Sequence, residues 1–319
     1  MLQQTQVQVV IPYFQRFIER FPNLAALADS SLDQVMPYWA GLGYYARARH
    51  AHRTAQDCVQ QHGGELPSQY DALCALPGIG PSTAGAILAQ AWNQPFPILD
   101  GNVKRIFCRI DGIEGDPGQA MVNRLLWQRA RQRVANAPAD RIADYTQAQM
   151  DLGATLCTRQ RPGCLICPLN SHCVAFQQDK VQTLPRRKTN KPLPKRSACA
   201  LVSQNDAGEI LLQRRPASGI WASLWTLPQL DDATAMRRWS RVHLSHAPWH
   251  SAQQLTTISH TFSHYHLSLD VWFILTTGLH PKLTDTSHFR WAHPCQSTQI
   301  GLPAPIRQFF SVLCQSPLS

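Results

Sequence analysis

The sequence predicts a multidomain protein in which an all-α first half is followed by an α+β domain. Its 319 residues are more than one hydrophobic core usually organises. Over residues 1–178 the apolar positions recur mostly at helical spacing, as at Val10 and Phe14. Farther on, two short apolar runs flank the turn sequence Asn205–Gly208, a pattern typical of a β-hairpin. The fold class therefore changes from helical to strand-rich within one chain.

The composition favours a polyanionic partner. The formal net charge is +10 and the sequence pI is about 9.3, and binding to phosphates releases counterions. Charge alone leaves DNA, RNA and anionic lipid open. The sequence has no apolar run long enough for a membrane span or a signal sequence. We expect a soluble, cytoplasmic protein.

A basic, proline-rich segment at residues 179–197 separates the two halves. It combines three prolines with seven arginines and lysines and has few apolar residues. Such a segment is extended, and it serves either as a solvated tether or as a contact to a phosphate backbone. After it we expect strands at Trp225–Leu227 and Leu267–Leu275, and helices at Ala233–Trp239 and Pro305–Leu313.

Four cysteines cluster in a C-x6-C-x2-C-x5-C series, and together they predict a metal centre: Cys157, Cys164, Cys167 and Cys173. Zinc and an iron-sulfur cluster both accept four thiolates, and this spacing alone does not choose between them. The other six are interpreted as small buried hydrophobes, since without a secretory signal a disulfide scaffold is not expected: Cys58, Cys74, Cys108, Cys199, Cys295 and Cys314.

The segment LPGIGPSTAGAIL carries a second signal. Gly78 and Gly80 permit a tight turn, and Pro81 stands where a helix should begin. Such a turn directs backbone N–H groups and a helix dipole at one point, which suits a phosphate. An ordinary αα-turn is the alternative reading.

A third segment, FPILDGNVKRI, places Asp100 before a predicted helix. By itself this residue is most simply a helix N-cap. Near a phosphate-binding hairpin, however, a carboxylate is what N-glycosidic cleavage needs, because an anion stabilises the cationic sugar as the base departs.

The order of motifs carries a resemblance. LQQTQV, GLGYYARAR, LPGIGPSTAG, ILDGNVKR, the four cysteines and HTFSHYH together resemble the adenine DNA glycosylases of the helix-hairpin-helix superfamily, over essentially the whole chain. The resemblance implies a helix-hairpin-helix glycosylase core with an iron-sulfur cluster loop, followed by a Nudix-like domain. It implies a six-helix barrel at 1–94, a cluster domain at 95–178, the linker at 179–197 and an 8-oxoguanine recognition domain at 198–319. A 4Fe-4S cluster is then the cofactor.

The resemblance also implies roles for individual residues. Asp100 steadies the cationic sugar, with Asn102 nearby. Ser82 replaces the lysine with which related glycosylase/lyases form a Schiff base, so the enzyme is monofunctional. Gln147 lies near the adenine pocket. The remaining assignments are DNA contacts by Gln3, Gln4, Tyr44, Gly78, Gly80, Ser82 and Lys104, and recognition of 8-oxoguanine by Phe262, Ser263 and His264.

Two departures from related sequences bear on activity. In the family, a glutamate two positions before the residue matched by Met1 protonates the departing adenine, and this chain has no residue there. A start codon farther upstream or a truncated gene would each explain it, and the first is favoured because the other motifs are intact. In addition, the stretch Leu230–Trp239 lacks the glutamates with which Nudix hydrolases bind cations.

The resulting hypothesis is a monomeric, nucleoid-associated glycosylase that removes adenine opposite 8-oxoguanine or guanine in double-stranded DNA after flipping it out. A replication clamp is a further expected partner. The alternatives are a mismatch-binding protein without turnover, because the acid is absent, and a glycosylase/lyase, which Ser82 disfavours.

Overall fold

The computed structural model describes residues 1–2, 5–186, 192–247, 249–279 and 288–316. Two compact units are present: residues 1–60 together with 192–319, and residues 61–191. The predictions for Gln3, Gln4 and linker positions 187–191 concern positions outside the described residues. In the described part of the chain, no helix is both long enough and apolar enough to cross a bilayer.

Twelve α-helices are described, and ten of them precede the strands. They are α1 (Val7–Arg20), α2 (Leu24–Ala28), α3 (Leu32–Trp39), α4 (Ala46–Gln61), α5 (Tyr70–Ala75), α6 (Pro81–Trp92), α7 (Gly101–Ile110), α8 (Ala120–Ala135), α9 (Ile142–Asp151), α10 (Val174–Gln177), α11 (Ala233–His243) and α12 (Ala304–Gln315). The all-α first half and both predicted C-terminal helices are confirmed.

Local sequence signals explain several helix starts. Ser31 accepts a hydrogen bond from the Gln34 backbone while the Gln34 side chain accepts one from the Ser31 backbone, a reciprocal capping box at α3. Asn23 and Asp232 cap α2 and α11 through the N–H groups three residues on. Helix α1 continues through Pro12, although this proline lacks the N–H that an interior helical residue donates.

The strands form one mixed sheet and one small pair. They are β1 (Lys195–Gln204), β2 (Ile210–Arg214), β3 (Trp225–Thr226), β4 (Gln229–Leu230), β5 (Leu244–Ser245), β6 (Gln253–Thr261), β7 (His266–Leu275), β8 (Gly278–Leu279) and β9 (Phe289–Ala292). The large sheet has the order β3-β2-β1-β7-β6, with β4 beside β1 and β9 beside β2, and β5 pairs with β8. Strand β1 runs parallel to β7 and antiparallel to β2.

The sheet is buried on both faces, because successive side chains of a strand point to opposite sides. Ala200 and Val202 of β1 belong to a core that includes Phe310 of α12. Leu201, between them, belongs to a second core with Met236 of α11. The result is a sheet layered between helices, as the α+β prediction required. In the other unit, α7 and α8 pack around a core that contains Ile106 and Leu126.

The cysteines outside the four-cysteine series follow the sequence interpretation only in part. Cys58, Cys108 and Cys199 are buried, and burial raises the pKa of Cys108 to about 11. The interpretation is wrong for Cys295 and Cys314, which form a disulfide with 5.0 Å between their Cα atoms. Cys295 is exposed, and Cys314 and Cys74 are half-buried. The loop after β9 brings Cys295 back beside α12, a long-range contact that sequence spacing does not show.

Candidate functional site

The glycine hairpin, residues 76–80, joins α5 to α6. Gly78 has φ +77°, a conformation that side chains with a Cβ rarely adopt. The Ile79 N–H donates to the Leu76 carbonyl at 3.2 Å, which closes the turn. Gly80 is the extended N-cap and Pro81 begins α6, as the sequence predicted. The N-terminal end of α6 and the turn therefore lie together.

A side-chain hydrogen bond ties this hairpin to the segment that carries Asp100. The Ser82 hydroxyl, in the first turn of α6, accepts from the Leu99 N–H at 2.9 Å. One turn later, Gly85 lies so close to the Pro97 carbonyl that an added Cβ would collide with that backbone atom. Both contacts hold residues 97–99 against α6 and thus fix the start of α7 beside the hairpin.

Asp100 is the N-cap of α7, and its side chain is exposed. Its Oδ1 accepts from the Asn102 N–H at 2.9 Å and from the Val103 N–H at 2.8 Å. Within the described residues its Oδ2 receives no hydrogen bond. The N-cap interpretation is therefore confirmed, and the cap orients the carboxylate while one of its oxygens keeps its acceptor capacity.

Arg105 connects this helix start to the cysteine loop, which we define as residues 157–173. Its Nη2 donates to Asn102 Oδ1 at 3.0 Å and to the Gly153 carbonyl at 2.7 Å, while its Nε donates to the Cys157 carbonyl at 2.7 Å. Burial lowers the pKa of the Arg105 guanidinium, and Cys157 opposes that effect. A Cβ added to Gly153 would stand 2.6 Å from Asn102 Cβ. Asn102 is thus held from two sides.

The four cysteines of the loop line one shared cavity. Cys157 follows a π-helical turn at Leu152–Leu156, and the other three lie on short 3-10 turns or beside them. The described residues contain no group of three or more His, Cys, Asp or Glu side chains placed to hold a metal ion. The four thiols nevertheless face one space, and this donor set fits a group with several thiolate ligands.

Arg109 is only 3% exposed and organises the cysteine loop. Its guanidinium donates to the carbonyl of Thr158 at 2.7 Å, to that of Leu184 at 3.0 Å and to Cys157 Sγ at 3.3 Å. A fourth contact reaches the Arg159 carbonyl at 3.4 Å. Sequence reasoning missed both Arg105 and Arg109; their spacing of one helix turn within an amphipathic helix was the available signal.

Two other residues that the sequence predicted for the site, Gln147 and Lys104, lie on α9 and α7. The exposed Gln147 donates to Asp151 Oδ1 at 2.8 Å and accepts from Gln90 of α6 at 3.4 Å. Lys104 is half-buried in the first turn of α7. Gln90 and Asp151 were not singled out by the sequence.

In the other unit, Tyr44 has φ +47° and is 54% exposed. The Arg47 guanidinium stands 5.5 Å from the centre of its ring. The structure therefore presents this ring to solvent at a backbone conformation uncommon for a bulky residue.

Phe262, Ser263 and His264 form the 262–264 loop, which connects β6 to β7. The Phe262 N–H donates to the Tyr265 carbonyl at 2.9 Å, and Ser263 and His264 are exposed. The Phe262 ring stands 4.5 Å from His260, 5.0 Å from Tyr265 and 5.4 Å from Trp221, measured between ring centroids. Burial lowers the pKa of His260. The loop therefore stands on a platform of aromatic rings.

The helix that follows β4 carries no cation site of the Nudix type. Helix α11 reads ATAMRRWSRVH and contains no carboxylate. Asp232 is the N-cap of this helix, and its side chain accepts a hydrogen bond from the Ala235 N–H at 2.7 Å. Asp232 therefore marks the start of the helix predicted at Ala233–Trp239.

Comparison with known families follows the same division of the chain. Residues 1–132 match the HhH-GPD superfamily of base excision DNA repair proteins, and residues 198–312 match the NUDIX domain. The fold and site thus define a helix-hairpin-helix base-excision repair protein with a Nudix-like domain.

Relatives that match more than nine-tenths of this chain make the assignment more specific. The adenine DNA glycosylase of Buchnera aphidicola subsp. Acyrthosiphon pisum is 33% identical over 97% of this chain and 86% of the relative. That of Homo sapiens is 34% identical over 91% of this chain and 62% of the relative. The chain belongs to the adenine DNA glycosylase family, whose members hydrolyse N-glycosidic bonds in base excision repair. The solved structure of a thermostable thymine-DNA glycosylase is similar at a TM-score of 0.49 and 21% identity, over 56% of this chain and 80% of that one.

Proposed function

We propose that this chain removes adenine paired with 8-oxoguanine or guanine, by base flipping and hydrolysis of the N-glycosidic bond without strand cleavage. The observation that carries the proposal is Asp100, a carboxylate with one uncommitted oxygen that the Ser82–Leu99 hydrogen bond fixes beside the glycine hairpin. The N–H groups of that hairpin bind the DNA backbone, which sets the position of the flipped nucleotide.

In this mechanism the bond between the sugar C1′ and adenine breaks, and the sugar develops positive charge. The Asp100 carboxylate stabilises that charge, and Asn102 and Arg105 hold the start of α7 in place. Water supplies the new bond to C1′, and adenine leaves with a proton. Ser82 has no amine for a Schiff base, so the product is an abasic site.

Further residues serve binding and recognition in the proposal. Gln147 lies beside adenine, and Phe262, Ser263 and His264 recognise 8-oxoguanine across the pair. DNA contacts come from Gln3, Gln4, Tyr44, Gly78, Gly80 and Lys104. The exposed position of Tyr44 and the exposed 262–264 loop support these assignments.

We further propose that Cys157, Cys164, Cys167 and Cys173 hold a 4Fe-4S cluster. The shared cavity supports it, as does Arg109, which brings positive charge to Cys157 Sγ. When bound, the cluster fixes the fold of the cysteine loop. Iron, sulfide and zinc contents of the purified protein, with its visible absorption, test this directly; stoichiometric zinc without sulfide would replace the iron-sulfur assignment.

The decisive experiment for the function is single-turnover excision on duplexes that contain 8-oxoguanine:adenine, guanine:adenine or thymine:adenine. Abasic sites are scored by alkali cleavage, and borohydride trapping tests for a covalent adduct. We expect excision from the first two duplexes and no adduct; comparable excision from the thymine:adenine pair would reject the specificity.

A second protein form makes the same assay informative about the general acid. An N-terminal extension that places a glutamate two positions before Met1 is compared with the chain as given. Excision only by the extended form assigns the acid to that position. Tight mismatch binding without excision by either form would establish the mismatch-binding alternative.

The monomeric state, the replication clamp, the nucleoid location and the four-segment division at 1–94, 95–178, 179–197 and 198–319 stay predictions. Sedimentation, co-purification with the clamp and limited proteolysis test the first, second and last of these.

A further inference from the structure

A second cleft in the unit 61–191 has a lining of arginines and aromatic rings. It is an open space of about 1080 Å³ bordered by Tyr70, Phe96, Arg124, Trp127 and Arg131. None of these five residues belongs to the site around Asp100, and the proposed chemistry gives them no role.

One wall of the cleft is a single face of α8. Arg124, Trp127 and Arg131 are three and four residues apart, so their side chains project from the same side of the helix. Both arginines are exposed. Within the described chain neither guanidinium has a salt bridge or a hydrogen-bond partner. Two positive charges with free donors therefore stand one turn to either side of an indole ring.

The other wall is aromatic. The rings of Tyr70 and Phe96 are parallel within 4°, with 4.9 Å between their centroids. Burial raises the pKa of Tyr70, and Arg131 acts against that rise, which places this guanidinium within electrostatic reach of the phenol. The cleft thus offers flat apolar surfaces and cations to the same ligand.

The position of the cleft relates it to the glycine hairpin. Pro81, which also lines the cleft, directly follows Gly80 and is the first residue of α6. A strand whose backbone lies on the hairpin therefore reaches the cleft without leaving the protein surface.

We propose that this cleft binds a nucleotide of the DNA strand that the glycine hairpin holds. Arg124 and Arg131 bind its phosphate, and Trp127 and Tyr70 contact its sugar or base. The inference rests on the proposed function and adds a second contact region to it. A free nucleotide has the same chemistry, but the adjacent hairpin and the net charge of +10 favour a strand of DNA.

The first test uses the salt dependence of DNA affinity. Arg124→Gln and Arg131→Gln are compared with Arg129→Gln, which removes the same charge from an exposed residue of α8 that does not line the cleft. In anisotropy titrations between about 50 and 200 mM salt, loss of a phosphate contact lowers the slope of log affinity against log salt by about 1. We expect this for Arg124→Gln and Arg131→Gln; slopes equal to that of Arg129→Gln would overturn the proposal.

The second test observes the aromatic wall. DNA is expected to quench the tryptophan emission of the wild type, and to quench that of Trp127→Phe less. The control is Trp92→Phe, which changes an exposed tryptophan outside the cleft and should be quenched like the wild type. Equal quenching in both variants rejects stacking in the cleft. Quenching by deoxyadenosine monophosphate but not by DNA would assign the cleft to a free nucleotide and overturn the proposal that it binds a DNA strand.

The two proposals fail separately. A wild type that binds no DNA removes the proposed function and this inference with it. If the wild type binds DNA and excises adenine while the cleft variants behave like their control variants, only the inference about the cleft is rejected.

Discussion

The Asp100 region and the 262–264 loop hold their functional residues by different means. Around Asp100 three side chains are fixed by hydrogen bonds to the backbone: Ser82 to Leu99, Asp100 to α7, and Arg105 to Gly153 and Cys157. Arg105 in turn donates to the Asn102 side chain. The Phe262 side chain instead rests on the rings of Trp221, His260 and Tyr265. Hydrogen bonds fix atoms to within tenths of an ångström, as bond cleavage requires, whereas stacked rings provide a flat surface that suits recognition of a base.

The largest effect is expected from removing the charge at Asp100 while keeping its cap. Asparagine caps helices as well as aspartate does, so Asp100→Asn should fold normally. Loss of the anion should lower single-turnover excision by about 10² to 10³-fold, while mismatch binding persists. The control is Asp116→Asn, which changes a half-buried aspartate outside the site that also accepts from a backbone N–H. A loss below about tenfold would remove Asp100 from the mechanism.

The next effect concerns stability in the hydrogen-bonded region. Arg109→Met should lower the free energy of unfolding by on the order of 3 kcal/mol, because it leaves buried carbonyl groups without their charged donor. Urea unfolding followed by circular dichroism measures it. Arg129→Met, which loses only an exposed contact to Gln132, should change the midpoint little. Equal midpoints for both variants would show that Arg109 does not stabilise the cysteine loop.

The ring platform is tested by Phe262→Ala. Loss of a stacking surface is expected to reduce the preference for 8-oxoguanine:adenine over guanine:adenine by about tenfold, since base–aromatic stacking contributes about 1–3 kcal/mol. The ratio of the two excision rates measures this and cancels any general loss of activity. An unchanged ratio would mean that residues other than Phe262 recognise 8-oxoguanine.

The smallest effect is a pH dependence from His260. Burial lowers the pKa of this histidine, so the unfolded chain binds its proton at a higher pH than the folded protein does. Stability is therefore lost as the pH falls through the unfolded value of about 6.5. Thermal unfolding is measured near pH 7.5 and near pH 5.5. Between these values the unfolding midpoint of the wild type should fall by more than that of His260→Phe. Identical decreases would mean that the ring platform imposes no cost on the charged histidine.

Local signals in the sequence predicted much of the fold. Periodicity predicted the helical half, capping residues predicted the starts of α6 and α7, and the Asn205–Gly208 turn predicted the β1–β2 hairpin. What remained unpredicted depends on residues far apart in the chain. The parallel pairing of β1 with β7, the reach of Arg109 to Leu184 and the Cys295–Cys314 disulfide each join segments with no shared local pattern.

The candidate site shows the same limit. Asp100 could be selected because its neighbours in sequence form its cap, whereas the link from Asn102 through Arg105 to Cys157 spans more than fifty residues. Spacing brought the four cysteines into one loop, but their shared cavity depends on how Arg109 folds that loop.

The close approach of Gly153 to Asn102 restricts how this sequence can change. Because an added Cβ at 153 would overlap the side chain at 102, alanine or anything larger at 153 displaces a residue next to the carboxylate. A side chain at 153 therefore requires a shift of the backbone at 102, because every residue there except glycine carries the Cβ that it would meet. In a library of variants randomised at both positions, active clones should retain glycine at 153 wherever asparagine occupies 102.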